Sequence, residues 1–249
     1  MNDDECRSAL LLVAHGDRGG SSTNRAVTEC VARLRDILGI EDISAGFLKG
    51  EPTIEAALLD LHGRGLKRVL LYPFMMSNGY FATNLLRRRL ESVEKILEVL
   101  VLPPLGLSPD LADLLLSQAI KAADRAGYTL EGTRLLIAGH GSKISRASAS
   151  ATRDIASRIV PKSRFRCVAT AFLEEPPFLQ TELASEPGPV VVSGFFSGEG
   201  LHGGTDVVAA IAESGAEAVY AGPIGAHEEV PDLIAAAVKT HLGAVAGDR

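Results

Sequence analysis

The sequence predicts an α/β protein with two similar lobes, each a parallel sheet flanked by helices. Two observations support this prediction: several short motifs occur twice in the same order, and apolar runs typical of buried strands alternate with helical patterns. The chain has 249 residues, of which 46% are hydrophobic and 22% charged, so it can form two domains of ordinary globular composition. An internal duplication therefore organises the whole sequence.

The strongest repeated motif is an apolar run that ends in histidine and glycine. Residues 11–16 read LLVAHG, and residues 135–141 read LLIAGHG with one extra glycine, so His140 corresponds to His15. Four later anchors follow in the same order: 45–48 with 170–173, 51–52 with 175–176, 73–81 with 194–202, and 104–106 with 223–225. The third anchor makes Phe81 the counterpart of His202 in the first half. Chance does not easily produce so many matches in one order.

Each half also repeats the alternation of strand and helix that builds parallel sheets. The predicted strands span 10–14, 43–47, 68–72 and 98–101 in the first half, and 134–138, 165–171, 190–192 and 218–220 in the second. Predicted helices include 22–38, 53–62, 84–96 and 109–126. Near-continuous Val, Leu and Ile indicates strands that are buried on both faces. The segment between Gly127 and Thr133 separates the halves, which predicts lobes at 1–128 and 129–249.

Composition excludes several classes of partner. The net charge is −6 and the basic residues are dispersed, so no surface suited to nucleic acid is predicted. The longest apolar runs fall far short of the roughly 20 residues that cross a bilayer. The acidic first residues do not match a secretory signal, and Cys6, Cys30 and Cys167 are too separated for a disulfide framework or a CxxC site. We expect a cytoplasmic protein with reduced thiols.

Histidines follow strands at positions where ligands bind in parallel α/β sheets, outside the carboxyl ends of the strands. His15 and His140 each come directly after a strand, and His202 follows another strand of the second half. The second lobe is therefore predicted to bring His140 and His202 together, whereas the first offers only Phe81 beside His15. Two neutral imidazoles can hold a divalent cation and accept protons. A capping or structural role is the alternative for each histidine.

Weaker candidates surround this pair. Glu175 precedes two prolines after the 165–171 strand and is predicted to reach the same edge as a metal ligand, with a solvated carboxylate as the alternative. His15 is a secondary candidate that positions substrate or survives as a structural relic. The loops 16–22 and 141–146 are predicted either to bind anionic groups or to be serine-capped helix starts. Nucleotide-binding and nucleophile-elbow motifs are absent from the sequence.

Taken together, these motifs resemble the class II chelatases, and among them the sirohydrochlorin chelatases of the CbiX type in their long, two-lobed form. The residues that carry the resemblance are 12–18, 46–52, 73–80 and their second-half copies, and it spans nearly the whole chain. It implies two lobes facing each other across a cleft, as a monomeric fused pseudo-dimer. It also implies a lyase that inserts Fe²⁺ or Co²⁺ into sirohydrochlorin without ATP, for siroheme or cobalamin biosynthesis. No cofactor is implied beyond the substrate metal ion.

The resemblance also assigns residues. It places the family's catalytic and metal-binding histidine pair at His140 and His202, and an acidic residue of the family at Glu175. Phe81 departs from the family's pattern of an N-terminal histidine, which argues against an active site in the first lobe. The absence of a terminal His-rich or Cys-rich stretch favours iron over cobalt. A non-enzymatic tetrapyrrole or metal carrier with the same cleft is the competing hypothesis.

Overall fold

The computed structural model describes residues 8–16, 23–200 and 202–247 and contains two four-stranded parallel sheets. The first sheet consists of β1 (Ser8–Ala14), β2 (Ile43–Phe47), β3 (Arg68–Pro73) and β4 (Glu98–Val101). The second consists of β5 (Arg134–Gly139), β6 (Cys167–Phe172), β7 (Val190–Gly194) and β8 (Ala218–Pro223). Their orders, β2-β1-β3-β4 and β6-β5-β7-β8, are the same topology used twice. The predicted pair of parallel α/β sheets is confirmed.

Helices connect the strands in the expected alternation. They are α1 (Thr23–Leu38), α2 (Ile54–Gly63), α3 (Leu86–Leu90), α4 (Leu111–Ala126), α5 (Ala147–Ile159), α6 (Leu179–Ala184), α7 (Val207–Ser214) and α8 (Val230–Gly247). Two π-helical turns, Phe81–Leu85 and His202–Asp206, lead into α3 and α7. The sheets are thus flanked by helices, as the repeat predicted.

The predicted helix over 84–96 is wrong in its second half. Helix α3 ends at Leu90, and the segment that follows forms turns until β4 begins. Its backbone hydrogen bonds mix two spacings: Val93 N donates to Leu90 O three residues back, whereas Leu97 N donates to Val93 O four residues back. The apolar side chains of Leu90, Val93 and Leu97 are all buried. The helical spacing of apolar residues therefore persists without a regular helix.

The central strands form the core of each sheet. All six residues of β5 are buried, as are all five of β7, whereas the edge strand β4 is largely exposed. A strand flanked by helices on both faces needs apolar side chains at every position, which explains the near-continuous Leu, Ile and Val of β1 and β5. The chain between two such strands must return over a sheet face, so each strand's carboxyl end opens into a loop at the same edge.

The compact units do not follow the predicted boundary between residues 128 and 129. Unit 1 comprises residues 1–108 and 228–249, and unit 2 comprises residues 109–227. Helix α4 packs on α5, β7 and β8 within unit 2, and α8 packs on α1 within unit 1. The predicted boundary separates the sequence repeats, but burial of the apolar faces of α4 and α8 decides which sheet each helix joins.

Other expectations concern membranes and thiols. In the described part of the chain, no helix combines the length and apolarity that a membrane span requires. Cys30 is a buried free thiol and Cys167 an exposed one, while Cys6 lies outside the described residues. Burial raises the pKa of Cys30 to about 12, partly offset by the charge of Arg33. Cys30 therefore stays a neutral thiol within the core of unit 1.

Candidate functional site

His140 lies at the carboxyl end of the central strand of unit 2. It directly follows β5, and its carbonyl oxygen accepts a hydrogen bond from Glu174 N at 2.9 Å. The half-buried ring places Nδ1 2.8 Å from the carbonyl oxygen of Gly141. A carbonyl oxygen only accepts, so Nδ1 donates its proton. The Nε2 of the neutral His140 ring therefore keeps a lone pair for a cation or a proton.

His202 begins the π-helical turn that follows β7. Its Nδ1 lies 2.8 Å from Oδ2 of Asp206, and the two side chains are 45% and 44% exposed. The ionised carboxylate accepts the hydrogen bond, so Nε2 of a neutral His202 ring also carries a lone pair. A carboxylate behind an imidazole orients the ring and strengthens it as a ligand. Asp206 therefore does for His202 what the Gly141 carbonyl does for His140.

Packing from β8 holds the π-helical turn of His202 in place. Tyr220 donates its hydroxyl to the carbonyl oxygen of Gly203. Burial, and to a lesser extent the negative charge of Glu199, raises the pKa of Tyr220, which keeps the hydroxyl protonated as a donor. A Cβ on Gly203 would lie 2.2 Å from Gly198 O, so only glycine permits this close approach. The position of His202 thus depends on its own turn, on the loop before it and on β8.

The structure brings the two imidazoles of unit 2 into contact. The ring centroids of His140 and His202 are 4.3 Å apart, and the ring planes are inclined at 82° in an edge-to-face arrangement. Each ring has its Nδ1 engaged by a different acceptor, Gly141 O or Asp206 Oδ2. Paired imidazoles with free Nε2 lone pairs can bind a first-row divalent metal and can accept protons near neutral pH.

Glu175 packs against Gly141, the residue that follows His140. Gly141 has a φ of +71°, and a Cβ at this residue would lie 2.9 Å from Cγ of Glu175. The Oε1 atom of Glu175 is buried and has no hydrogen-bond partner among the described residues. A buried carboxylate oxygen without a partner costs free energy that a bound proton or cation would recover. The arrangement suits a group that interacts with a transient ligand.

The predicted set of three metal ligands is not assembled as a compact group. Across residues 8–16, 23–200 and 202–247, no three or more His, Cys, Asp and Glu side chains are grouped so that they could hold a metal ion. The structure therefore joins His140 to His202 but leaves Glu175 outside such a cluster. The imidazole pair is the part of the predicted site that the fold brings together.

Unit 1 carries the same backbone arrangement with different chemistry. His15 follows β1, and its carbonyl oxygen accepts a hydrogen bond from Lys49 N at 2.7 Å, as His140 O does from Glu174 N. The ring centroids of His15 and Phe81 lie 4.6 Å apart at an interplanar angle of 77°. Phe81, at the start of the first π-helical turn, thus occupies the place that His202 has in unit 2.

One predicted correspondence between the halves is off by one residue. Phe47 N donates to Pro52 O, and Phe172 N donates to Pro177 O, each at 2.9 Å. Pro52 therefore corresponds to Pro177, not to Pro176 as the shared Glu-Pro dipeptide suggested. With this register, Glu175 corresponds to Gly50. The identical Glu-Pro dipeptides at 51–52 and 175–176 suggested an alignment that is one residue off from the one set by the backbone hydrogen bonds.

With the corrected register, the two units differ in the side chains at the corresponding site positions. The imidazole pair of unit 2 and its two neighbouring carboxylates correspond to residues of unit 1 as follows: His140 to His15, His202 to Phe81, Glu175 to Gly50 and Asp206 to Leu85. Three of these four positions in unit 1 thus carry no side chain that binds a metal or exchanges a proton. The paired site belongs to unit 2.

The loop after His140 favours the capping alternative over an anion-binding loop. The Oγ atom of Ser142 accepts hydrogen bonds from Ile144 N at 3.2 Å and Ser145 N at 3.1 Å. The Oγ atom of Ser145 in turn accepts from Ala147 N at the start of α5. Serine hydroxyls thus occupy backbone donors that an anion would need. In the corresponding loop of the first half, residues 17–22 lie outside the described residues.

Sequence reasoning missed two supporting residues. Asp206 is not among the site residues predicted from the sequence, although a spacing of four residues in a helical segment places two side chains on one face. The spacing therefore carried a usable signal. Tyr220 had no such signal, because it comes from β8 and meets Gly203 only through the packing of the sheet.

The fold and the site define a class of duplicated α/β proteins with one imidazole pair at the strand ends. The CbiX family profile matches residues 9–122 and 134–241, which is most of both halves. The chain belongs to the CbiX family.

Individual relatives agree with this assignment. A probable sirohydrochlorin cobaltochelatase of Halobacterium salinarum is 22% identical over 225 residues, covering 80% of this chain and 75% of the relative. A CbiX structure, described as the terminal enzyme for biosynthesis of siroheme in denitrifying bacteria, has a TM-score of 0.75 and 29% identity, covering 93% of this chain and 98% of that one. SirB from Bacillus subtilis with Fe³⁺ has a TM-score of 0.79, 18% identity and coverage of 97% and 98%, which indicates a shared fold.

Proposed function

We propose that this chain is a sirohydrochlorin chelatase, a lyase that inserts Fe²⁺ or Co²⁺ into sirohydrochlorin without ATP. The observation that carries this proposal is the contact between His140 and His202, whose ring centroids are 4.3 Å apart and whose Nδ1 atoms are both engaged. Membership of the CbiX family supports it, as do relatives named for sirohydrochlorin and siroheme chemistry.

Metal insertion exchanges two pyrrole N–H protons for one divalent ion. The Nε2 lone pairs of His140 and His202 suit both halves of this exchange, because imidazole coordinates iron and cobalt and accepts protons near neutral pH. Two protein ligands occupy only part of the ion's coordination sphere, which leaves room for the macrocycle nitrogens to enter. The ion can therefore pass from the protein to the substrate in successive ligand exchanges.

We assign secondary roles to two further residues. Glu175 would act on the ion or accept a proton beside His140, since its buried Oε1 has no hydrogen-bond partner among the described residues. His15 would help to position the substrate, because its ring contacts Phe81, which is not a ligand. These roles follow from the neighbours of each side chain and from the lack of a second imidazole beside His15.

We also propose a monomer that acts in the cytoplasm with no cofactor other than its substrate metal. Two repeats in one chain supply the pair of lobes that a shorter relative would need two chains to form. The exposed free thiol of Cys167 suits a reducing compartment.

Turnover tests the proposal directly. Purified protein mixed anaerobically with sirohydrochlorin and either Fe²⁺ or Co²⁺ should change the absorption spectrum faster than metal and sirohydrochlorin alone. His140→Ala and His202→Ala should each slow insertion by about 10²- to 10⁴-fold, the range for a residue that transfers a proton. His15→Ala should cost distinctly less.

A matched control is available in the exposed His62, in the last turn of α2. His62→Ala should leave the rate unchanged, and thermal melting should show that all four variants are folded. Absence of acceleration with either ion would contradict the enzyme assignment, and binding without turnover would favour the carrier. If His15→Ala were as slow as His140→Ala while His202→Ala stayed active, the active site would lie in unit 1.

A further inference from the structure

The strand-end edge of unit 1 presents aromatic rings where unit 2 has its imidazole pair. Phe81 is 43% exposed and Tyr80 is 49% exposed, both large apolar side chains. Their ring centroids are 5.9 Å apart, and His15 packs edge-to-face on Phe81 at 4.6 Å. Three contiguous rings thus form a partly exposed surface. Exposed aromatic clusters of this kind usually mark a contact with a ligand or partner.

The strand-end edges of the two units also differ in their charged residues. Four carboxylates near the imidazole pair of unit 2 correspond to uncharged or basic residues in unit 1: Glu174 to Lys49, Glu175 to Gly50, Glu199 to Asn78 and Asp206 to Leu85. Glu51, which follows Gly50 in unit 1, is a carboxylate whose Oε2 accepts a hydrogen bond from Thr53 N just before α2. At these four positions unit 1 therefore has one cation and no carboxylate, where unit 2 has four carboxylates.

Helix α3, which follows the ring-bearing turn, carries further basic groups. Arg87 and Arg88 are exposed and follow the π-helical turn that begins at Phe81. The corresponding positions of α7 are Val208 and Ala209. Both arginines thus follow the ring-bearing turn of unit 1 along the chain, at positions where unit 2 has apolar side chains.

We propose that the surface formed by Tyr80, Phe81, Lys49, Arg87 and Arg88 binds a planar, carboxylate-bearing macrocycle, which on the proposed function is sirohydrochlorin. The rings offer flat apolar contact to such a ligand, and the three basic side chains can pair with its carboxylates. This inference rests on the proposed function for the identity of the ligand. It makes this surface of unit 1 a substrate-binding surface that has Phe81 in place of a second imidazole.

Binding without metal separates this surface from the catalytic pair. Spectral titration of the full chain with sirohydrochlorin alone should give a dissociation constant about tenfold higher for the Tyr80→Ala/Phe81→Ala double variant than for the wild type. In Co²⁺ insertion the same variant should raise KM for sirohydrochlorin by a similar factor, with kcat and the Co²⁺ dependence unchanged. Lys49→Glu should also weaken binding, and high salt should reduce that loss.

Two further variants guard against misfolding as the cause. Phe81→Tyr keeps a ring and should retain wild-type affinity, and Leu59→Ala removes a 51% exposed apolar side chain of α2 and should have no effect. An unchanged dissociation constant in the double variant overturns the proposal, as does an equal loss in Leu59→Ala. If the wild type binds sirohydrochlorin but never inserts metal, the proposed function fails while the titration still decides this surface.

Discussion

At the residue scale, the two imidazoles of unit 2 are held by acceptors of different kinds. The Nδ1 atom of His140 faces the backbone carbonyl of Gly141, whereas Nδ1 of His202 faces the carboxylate of Asp206. A backbone carbonyl is neutral and cannot be removed by substitution. A carboxylate adds negative charge, which increases the electron density that the ring offers to a metal ion. Asp206 is therefore the orienting group that a mutation can test.

We expect Asp206→Asn to weaken Co²⁺ binding and slow metal insertion. The asparagine oxygen can still accept the hydrogen bond from Nδ1, but the negative charge is lost. Loss of such an outer partner typically lowers metal affinity by about 10- to 100-fold. Asp206→Ala, which removes the acceptor as well, should cost more. Isothermal titration with Co²⁺ and initial insertion rates measure the two effects.

Asp154→Asn is the matched control, because Asp154 is an exposed carboxylate on α5 of the same unit. It should change neither the Co²⁺ affinity nor the rate. Equal effects of the Asp154 and Asp206 substitutions would mean that net charge, rather than the contact with His202, determines metal affinity.

At the scale of the element, the two π-helical turns differ in how closely they pack on the preceding loop. The residue after the ring is Gly203 in unit 2 and the buried Ala82 in unit 1. A Cβ on Gly203 would lie 2.2 Å from Gly198 O and 3.0 Å from Cβ of Phe196. The turn that carries His202 therefore sits against its loop without room for a methyl group. This close packing positions the ring of His202.

Gly203→Ala should displace the turn and with it the ring of His202. Forcing a methyl group into a packed site typically costs about 1–3 kcal/mol of unfolding free energy. The insertion rate should fall by at least about tenfold, since a small misplacement of a reacting group has large effects on rate. Urea denaturation and initial rates provide the two measurements.

The control for this substitution is Gly63→Ala at the end of α2. A Cβ at Gly63 meets no atom within 4 Å, and alanine favours helix more than glycine does. We expect unchanged activity and equal or slightly higher stability. A Gly203→Ala variant that kept both wild-type stability and wild-type rate would refute the idea that the close approach positions His202.

At the scale of the whole molecule, the compact units differ from the sequence repeats by the placement of two helices. Helix α4, encoded in the first repeat, buries Leu111, Leu115 and Ala119 within unit 2. Helix α8, encoded in the second repeat, packs on α1 within unit 1 and buries Val230 and Ile234. A fully buried Leu contributes about 1.5–3 kcal/mol relative to an exposed one, so α4 matters for the stability of unit 2.

This arrangement predicts which fragment folds. A fragment of residues 109–227 contains β5 to β8 together with α4 and should unfold cooperatively. A fragment of residues 129–249 contains the same strands but lacks α4, so the side chains of β7 and β8 that α4 covers would be exposed to water. It should aggregate or lack a cooperative transition. Size-exclusion chromatography and thermal unfolding followed by circular dichroism compare the two.

Both fragments retain the strands that precede His140 and His202, so the comparison isolates the helix. If residues 129–249 proved as stable as residues 109–227, the repeat boundary would also be the folding boundary, and α4 would be dispensable for unit 2.

Much of the fold followed from local patterns in the sequence. Short runs rich in apolar residues predicted the strands, and β2 and β4 have the predicted bounds. The bounds are clear because such runs end in loops rich in glycine and proline. The helix after Phe81 was less predictable, since its apolar spacing continues to Leu97 although the backbone turns irregular beyond Leu90. The spacing of apolar residues indicates which side chains are buried. Whether the helix is regular depends on its backbone hydrogen bonds.

By itself, the sequence determined the duplication, the parallel sheets and the choice of His140 and His202 as candidates. These conclusions depend on local apolar runs and on the rule that parallel strands end at one edge. Tertiary structure decided what the candidates touch: Asp206 behind His202, Tyr220 on Gly203, and Glu175 against Gly141. Backbone hydrogen bonds also made Glu175 the counterpart of Gly50, not of Glu51. Tertiary structure also decided that α4 packs on β7 and β8 of the second repeat and that α8 packs on α1 of the first. Such contacts depend on packing between segments distant in the chain, which no short window of residues encodes.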